Sequence, residues 1–332
     1  MPLDCADTPT LEHRMFARLA SFALVSCFLV MGQAHAQYPD KPVRIVVPFA
    51  PGGSVDILAR VIAQQITKPL GQSVIVENRP GGGSAVGTEF VARAPADGYT
   101  LLMGSTSSLA INPSLQKLNY ELRDFAPIAL VASIPHVLVV NPKVPANNLR
   151  EFIAYAKAKP TINYGSAGPG TPHHLAGVML NQLTGLKMVD IPYKGTGPAL
   201  VDLVGGQVEV MSVDMAPAMP FITSGKIRAL GIATKARSPL APDIPTVAEA
   251  GVPGFEVTGW YGVVAPAAVP PEIAQKLAKA ITEALAMPET REKLLALGAT
   301  PEGGTPQAFG EHMQRENAKW AKVIKDGNIR IQ

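Results

Sequence analysis

The chain has 332 residues, a formal net charge of +3 and 17% charged residues, so it lacks the excess of basic charge that nucleic-acid binding requires. Its length exceeds what one hydrophobic core usually organises, which favours two lobes. Proline supplies 31 of the 332 residues, about twice the ~5% of an average protein, and this predicts many rigid turns.

Residues 1–36 have the pattern of a secretory signal peptide. Arg14 and Arg18 precede the apolar stretch Leu19–Met31, and Ala34-His35-Ala36 supplies a small-residue cleavage site before Gln37. The apolar stretch is shorter than the about 20 residues that a membrane span needs. We therefore expect this segment to be cleaved after export.

Both cysteines, Cys5 and Cys27, lie inside this segment. Its removal leaves no cysteine, which excludes disulfides, thiolate catalysis and cysteine-bound metal in the mature chain. A lipoprotein attached at Cys27 is the alternative, although apolar residues follow this cysteine instead of a polar tether. Translation from Met1 or from Met15 fits the same interpretation.

After Gln37, short β-branched runs alternate with segments of helical spacing, the pattern of parallel strands joined by crossover helices. The predicted elements are strand Val43–Val47, a helix from Ser54 with Ile57, Leu58, Val61, Ile62 and Ile66 on one face, strand Val74–Val76, a turn at Gly81–Gly83, a helix ending at Ala92, and strand Thr100–Met103. Three such steps predict a doubly wound α/β core.

The stretch Pro127–Val140 is apolar for longer than the usual ~5–6 residues of a strand, and Pro135 is expected to interrupt it. We interpret it as a strand that leaves one lobe and enters another. Beyond it the predicted elements are helix Leu149–Lys157, strand Ile162–Tyr164, helix Pro172–Leu183, strand Met188–Ile191, helix Thr196–Val204, strands Val208–Val213, Ile227–Ala233 and Trp260–Ala265, helix Pro271–Ala286, and a C-terminal helix burying Phe309, Met313, Trp320 and Ile324.

These elements predict two lobes, of which the second is the smaller. We assign residues 37–139 and 229–332 to lobe 1, which is discontinuous, and residues 140–228 to lobe 2. Ligands of such folds bind at the carboxyl ends of the strands, so a cleft between the lobes is the expected binding site.

Two glycine-rich loops share one local pattern, in which a strand leads through the loop into a helix. The loops are Pro48–Gly53 before Ser54 and Gly165–Gly170 before Thr171, and Ser54 and Thr171 are the predicted N-caps. Glycine lets a ligand approach the backbone, and the first helical turn carries N–H groups without intrahelical partners. Each loop is therefore a candidate anion site, and without a nearby lysine it suits a carboxylate better than a triphosphate.

The same loops fit nucleotide motifs poorly, and we expect no cofactor. Neither continues into the Gly-Lys-Ser/Thr of a P-loop, and Gly81–Gly87 places its last glycine one residue too late for a dinucleotide fingerprint. His173 and His174 are adjacent and diverge by ~100° on a helix, so they do not form a helical metal pair. We expect no metal site.

A secreted α/β hydrolase is the enzymatic alternative. Ser166 lacks the nucleophile-elbow context, because Tyr164 stands where the first glycine should be. The alternative stays open at the sequence level, because members of a catalytic triad can lie far apart along a chain.

Further candidate binding residues lie at predicted strand ends, where N-capping, lobe packing or capping of the next helix are the structural alternatives. Asp214 would favour a ligand with an amino group, whereas Phe49 and Trp260 would favour an aromatic acid, and the sequence does not rank the two. The full set of candidate ligand-binding residues is Phe49, Ala50, Gly52, Gly53, Ser54, Asp56, Ser105, Thr106, Ser107, Ser166, Ala167, Gly168, Gly170, Thr171, His174, Tyr193 and Asp214.

Five stretches occur in an order typical of one family. They are Tyr38–Asp56 (YPDKPVRIVVPFAPGGSVD), Glu77–Gly82 (ENRPGG), Ala96–Thr100 (ADGYT), Ile191–Gly195 (IPYKG) and Gly225–Leu230 (GKIRAL). From Tyr38 to about Trp320 the chain closely resembles the Bug family, the extracytoplasmic solute receptors of tripartite tricarboxylate transporters.

The resemblance implies a periplasmic, non-enzymatic binding protein of the type II-like class, with two α/β lobes joined by crossing strands. Such a protein closes on a small carboxylated solute, an organic acid, aromatic acid or amino acid. In that family backbone groups and water from two loops hold the carboxylate, and the matching loops here are Phe49–Ser54 and Ser166–Thr171. The implied partners are the membrane subunits of an ion-driven transporter or a sensor protein, with the receptor itself a monomer.

Overall fold

The structure, a computed structural model, describes residues 38–326 and Ile329. The predicted signal peptide, both cysteines and both possible start residues lie outside this range. The described residues from Lys41 onward belong to one compact unit. None of the helices described there is long and apolar enough to cross a membrane.

The described residues form alternating strands and helices, as the sequence predicts. The strands are β1 (Val43–Val47), β2 (Val74–Asn78), β3 (Thr100–Ser105), β4 (Phe125–Val140), β5 (Asn163–Ser166), β6 (Val189–Pro192), β7 (Val210–Asp214), β8 (Arg228–Ile232), β9 (Thr258–Pro266) and β10 (Thr300–Pro301). The longer helices are α1 (Ser54–Leu70), α2 (Ala85–Ala92), α3 (Leu149–Ala158), α4 (Pro172–Thr184), α5 (Thr196–Gly205), α6 (Met215–Thr223), α7 (Pro271–Ala286), α8 (Pro288–Ala296) and α9 (Pro306–Asp326). A π-helical turn, Ser107–Ile111, follows β3.

One strand connects two halves of the sheet. The path of hydrogen-bonded strands is β2-β1-β3-β9-β4-β7-β5-β6, with β10 and β8 also paired to β4. We call β2, β1, β3, β9, β10 and the start of β4 the first half-sheet, and the end of β4 with β7, β8, β5 and β6 the second. The pairs β1/β2, β1/β3, β5/β6 and β5/β7 are parallel, whereas β4 and β9 pair antiparallel with their neighbours.

Strand β4 is continuous through Pro135, so the predicted interruption there is wrong. Pro135 is the last residue of β4 that pairs with β9, and His136 is the first that pairs with β7. A residue without an N–H is tolerated because it stands where the strand changes partners. The predicted passage of this strand from one half of the fold to the other is confirmed.

Each half-sheet is covered by its own hydrophobic core. Trp260, Phe309 and Trp320 pack in the first, where the Trp260 and Phe309 rings meet edge to face with centroids 6.0 Å apart. Phe152 and Phe255 pack in the second. Separate cores fit the mixed α/β architecture of two doubly wound lobes, while the residue bounds given above for each lobe stay a prediction.

The start of α1 differs from the prediction by one residue. Gly53 has extended backbone angles and is the N-cap, so Ser54 is the first helical residue and its side chain caps nothing. In contrast, Thr171 caps α4 as predicted, because its side-chain oxygen accepts a hydrogen bond from the His174 amide. Ser54 is thereby left available for another role.

Candidate functional site

A small cavity of about 20 Å³ lies between the two half-sheets, at the ends of strands and the starts of helices. Its walls come from both halves, as expected for an open α/β sheet. Its lining residues are Phe49, Gly53, Ser54, Val55, Ser105, Thr106, Ser107, Ala167, Pro172, His173, Thr196, Asp214 and Tyr261. Eight of these belong to the predicted set: Phe49, Gly53, Ser54, Ser105, Thr106, Ser107, Ala167 and Asp214.

The N-terminus of α1 forms one wall. Gly53, Ser54 and Val55 line the cavity, and the first turn of a helix carries N–H groups without intrahelical partners together with the positive end of the helix dipole. The Ser54 hydroxyl is buried and makes no hydrogen bond of good geometry among the described residues, although it lies near enough to the Tyr261 hydroxyl to oppose the rise in the pKa of that group. A buried polar atom of this kind indicates a missing polar occupant.

The end of β3 forms an adjoining wall and is held rigidly. The Thr106 hydroxyl accepts a hydrogen bond from the Trp260 amide at 2.9 Å, and the Ser105 amide donates to the Ser108 hydroxyl at 2.9 Å. Through these hydrogen bonds, the Thr106 and Ser108 hydroxyls hold the backbone that connects β3 to the π-helical turn. Ser105 and Ser107 lie on the cavity wall between them.

A buried polar group that we call the Asp214 cluster, made of Asp214, His136, His173 and Tyr261, lies beside the cavity, and three of its members line it: Asp214, His173 and Tyr261. The Tyr261 hydroxyl donates to Asp214 Oδ1 at 2.6 Å, and His136 Nε2 lies 3.3 Å from the same oxygen. His173 Nε2 lies 3.2 Å from Asp214 Oδ2. Both carboxylate oxygens therefore face protein groups already, so an amino group of a ligand would have to compete with them.

The residues of the Asp214 cluster come together because their strands are neighbours in the sheet. His136 and Asp214 are register partners in the antiparallel pair β4/β7, and Tyr261 comes from β9 on the other side of β4. His173 enters from the first turn of α4. His136 Nδ1 contacts the Ser212 hydroxyl at 3.2 Å, and the His136 and His173 rings lie 4.6 Å apart between centroids.

Burial sets the charges of the cluster. Burial by itself raises the pKa of Asp214, but the His136 and His173 rings outweigh it and hold that pKa well below its ordinary value. Burial lowers the pKa of His173, against the opposing effect of Asp214. Burial, reinforced by the Asp214 carboxylate, raises the pKa of Tyr261. Near neutral pH the cluster therefore carries a negative charge on Asp214, a neutral His173 and a neutral Tyr261.

Among the described residues, His136, His173 and Asp214 place candidate metal-ligand atoms within 4.8 Å of one another. The contact of His173 with Asp214 has a hydrogen-bond distance, and the Tyr261 hydroxyl donates to the same carboxylate. We therefore interpret the group as a hydrogen-bonded cluster.

The two half-sheets touch through backbone next to the cavity. The Ala50 amide donates to the Lys194 carbonyl at 2.8 Å. Gly53 lies against Thr196, and a Cβ added at Gly53 would collide with the Thr196 hydroxyl. A Cβ added at Gly197, on the next residue of α5, would collide with the Pro51 carbonyl. We call this contact, Ala50–Gly53 against Lys194–Gly197, the seam.

Two predicted residues of the first loop stabilise the loop itself. Asp56 Oδ2 accepts hydrogen bonds from the Gly52 amide and from Arg60, both at 3.1 Å, and Oδ1 accepts one from Asn78 at 3.0 Å. Partial burial raises the pKa of Asp56, but Arg60 and the Gly52 amide outweigh it and lower that pKa. The Gly52 amide therefore already has a hydrogen-bond acceptor within the loop, and neither Gly52 nor Asp56 lines the cavity.

Most predicted residues of the second loop also make contacts inside the protein. The Ser166 hydroxyl accepts from the Gly168 amide at 3.2 Å, and the Thr171 hydroxyl donates to the Gly168 carbonyl at 2.7 Å. Gly170 packs against Asn112. Of this loop, Ala167 reaches the cavity together with Pro172 and His173 at the start of α4.

His174 and Tyr193 lie outside the cavity. Burial lowers the pKa of His174, and Asp190 opposes it. The Tyr193 hydroxyl donates to Asp202 at 2.7 Å, and burial with this carboxylate raises the pKa of Tyr193 to about 12. Gly168 and Tyr193 line a neighbouring cavity of about 180 Å³ that shares Phe49 and Ala167 with the first.

Four functional candidates are absent from the predicted set: His136, His173, Thr196 and Tyr261. His173 was considered beside His174, and the structure places His173, not its neighbour, on the cavity wall. His136 had a usable signal, since it is a single ionisable residue within the apolar run Pro127–Val140. A buried ionisable side chain needs a partner, here Asp214.

Comparisons with known proteins agree with this architecture. A family model described as "Tripartite tricarboxylate transporter family receptor" matches residues 58–329. The chain is 40% identical over 299 residues to protein BugT of Bordetella pertussis, covering 89% of this chain and 92% of that protein.

Two solved structures are also similar. The first is MatC from Rhodopseudomonas palustris with bound malate, with a TM-score of 0.83, 36% identity, and coverage of 86% of this chain and 100% of that one. The second is R. palustris Rpa4515 with adipate, with a TM-score of 0.84, 36% identity, and coverage of 88% of this chain and 99% of that one.

Proposed function

The chain belongs to the tripartite tricarboxylate transporter receptor family, a family of solute-binding receptors, and we propose that it captures a small carboxylate in the cavity between its half-sheets. The bound solute passes to the membrane subunits of a tripartite transporter, and the receptor works in the periplasm. The predicted signal peptide and the family description support both statements.

One observation carries the proposal. The Ser54 hydroxyl and His173 Nδ1 are buried, lack hydrogen-bond partners in the described part of the chain, and belong to residues that line one cavity. Buried polar atoms are normally satisfied, so a ligand that enters when the half-sheets separate, and is enclosed when they close, would supply the missing hydrogen bonds. The start of α1 beside Ser54 favours an anionic group there.

Dicarboxylates are the ligand class that we propose first. Relatives of similar length hold malate and adipate, and each of these compounds has a carboxylate at either end. A ligand amine finds less support, because both Asp214 oxygens already contact Tyr261, His136 or His173. Monocarboxylates, aromatic acids and amino acids are therefore comparison ligands.

The geometry gives no support to the hydrolase alternative. The Ser166 hydroxyl is fully buried, accepts the Gly168 amide and does not line the cavity. A nucleophile has to reach its substrate, and this serine faces protein instead. We propose a receptor without catalytic residues.

A thermal-shift screen tests the proposal. The protein is unfolded, dialysed and refolded to remove any ligand that was carried through purification, and it is then scanned with malate, adipate, monocarboxylates, aromatic acids and amino acids. A ligand at about 100 times its Kd should stabilise the fold by about 2.7 kcal/mol. A melting temperature that stays constant with every carboxylate would refute the proposal.

A further inference from the structure

His173 has two ring nitrogens in different situations. Nε2 lies 3.2 Å from Asp214 Oδ2, whereas Nδ1 is buried and has no partner within residues 38–326. The residue is 6% exposed and lies on the cavity wall. When Nε2 carries the proton donated to Asp214, a neutral ring leaves a bare lone pair on Nδ1, which accepts hydrogen bonds and donates none.

A carboxylate ligand cannot use that lone pair, because both are acceptors. It also meets the negative charge of Asp214, which is buried, and like charges repel more strongly in such surroundings than in bulk water. The free cavity therefore lacks one positive charge and one donor next to His173. A proton on Nδ1 supplies both at once.

We propose that His173 determines specificity by taking up one proton when a carboxylate binds, so that Nδ1–H donates to a ligand oxygen while Nε2–H stays on Asp214. The proton comes from solvent, and no covalent bond is made or broken. Asp214 is a positioning residue in this step, and Tyr261 holds Asp214 in place. The inference rests on the proposed function, since it specifies the charge state in which the same cavity binds its solute.

Three neighbours face His173. Asp214 faces it from the end of β7, His136 from β4 and Tyr261, through Asp214, from β9. Asp214 raises the pKa of His173, whereas His136, with its ring centroid 4.6 Å away, lowers it. A proton on His173 places an imidazolium between two carboxylates, Asp214 and the ligand.

Calorimetric titration in buffers of different ionisation enthalpy measures the uptake. Ligand-stripped protein is titrated with malate and with adipate at about pH 7.5 in HEPES and in Tris, each with and without EDTA. The slope of observed enthalpy against buffer ionisation enthalpy should show about one proton taken up per ligand bound. Affinity should fall by up to about tenfold per pH unit as the pH rises in this range.

Two histidine variants assign the proton. His173→Gln should bring the uptake to about zero and weaken binding by about tenfold or more, because the amide cannot become charged. His312→Gln is the matched control: burial also lowers the pKa of His312, but this residue packs against Trp260 away from the cavity. It should keep both the uptake and the affinity of the wild type.

The outcomes separate this inference from the proposed function. Wild-type binding without proton uptake, uptake that survives in His173→Gln, or binding that EDTA abolishes would each overturn the inference and leave the receptor function standing. Failure of malate, adipate and every other carboxylate to bind ligand-stripped wild-type protein would overturn both.

Discussion

The amide of Ala50 donates a hydrogen bond to the carbonyl of Lys194 across 2.8 Å. Ala50 belongs to the loop after β1, and Lys194 to the loop between β6 and α5, so this bond joins the two half-sheets directly beside the cavity. Backbone contacts that recur along the seam are possible only where side chains are absent or small. We therefore expect the seam to form when the receptor closes on its ligand.

Substituting Gly197→Ala should prevent closure. A Cβ at this position meets the Pro51 carbonyl across the seam, and backbone cannot move aside as a flexible side chain can. We expect ligand affinity to fall at least about tenfold, or about 1.4 kcal/mol, while the ligand-free protein keeps its stability. Calorimetry measures the first effect, and small-angle scattering should show that the ligand no longer decreases the radius of gyration.

Gly205→Ala is the matched control on the same helix, α5. A Cβ at Gly205 would meet nothing within 4 Å, so the substitution should leave affinity unchanged and raise stability by less than about 1 kcal/mol through helix propensity. Equal affinities for the two alanine variants would contradict the role given to the seam.

Thr171→Ala should lower the stability of the fold, whereas Ser54→Ala should weaken ligand binding, although both residues stand at the start of a helix. The Thr171 hydroxyl accepts the His174 amide as an N-cap, so its loss should cost about 1 kcal/mol of unfolding free energy. The Ser54 hydroxyl caps nothing, so its loss should leave stability nearly constant and weaken ligand binding. Urea unfolding and titration of both variants check this, and a large stability loss in Ser54→Ala would count against it.

Tyr261→Phe should destabilise the fold by about 2 kcal/mol, because a hydrogen bond from the tyrosine to a buried carboxylate is lost. The hydroxyl donates to Asp214 Oδ1 at 2.6 Å, and this carboxylate is buried, with Asp214 1% exposed. Unfolding in urea measures the change. An unfolding free energy within about 0.5 kcal/mol of wild type would show that Asp214 does not need this donor.

Stability should decrease as the pH falls below about 6.5, the ordinary pKa of histidine. Burial lowers the pKa of His173 and His312 in the folded protein, so the unfolded chain binds protons at these residues first and is favoured in that range. Melting temperatures between about pH 8 and about pH 5 test this sign. His312→Gln should reduce the decrease, and a melting temperature that is constant over this range would be the contrary result.

The order of most elements could be predicted because these elements have a local signal. Val43–Val47 is a β-branched run before a glycine turn, and the buried face of α1 recurs at helical spacing. Two features had no such signal. Helix α8, Pro288–Ala296, buries few residues, and the continuity of β4 through Pro135 depends on which strands pair on each side of it.

The site was predictable in its loops and not in its polar cluster. Gly53, Ser54 and Ala167 lie where a strand leads into a helix, and local sequence patterns indicate such places. His136 faces Asp214 only because β4 and β7 pair in one register, and Tyr261 reaches the same carboxylate from a third strand. Such a group is assembled by tertiary structure, so spacing along the chain does not reveal it.

A crystal structure of ligand-stripped protein, grown with the carboxylate that gives the largest thermal shift, tests the central claim most directly. We predict a ligand between the starts of α1 and α4, with oxygens within about 3.2 Å of both the Ser54 hydroxyl and His173 Nδ1. A ligand bound elsewhere on the protein, or a cavity left empty at saturating ligand, would contradict this account.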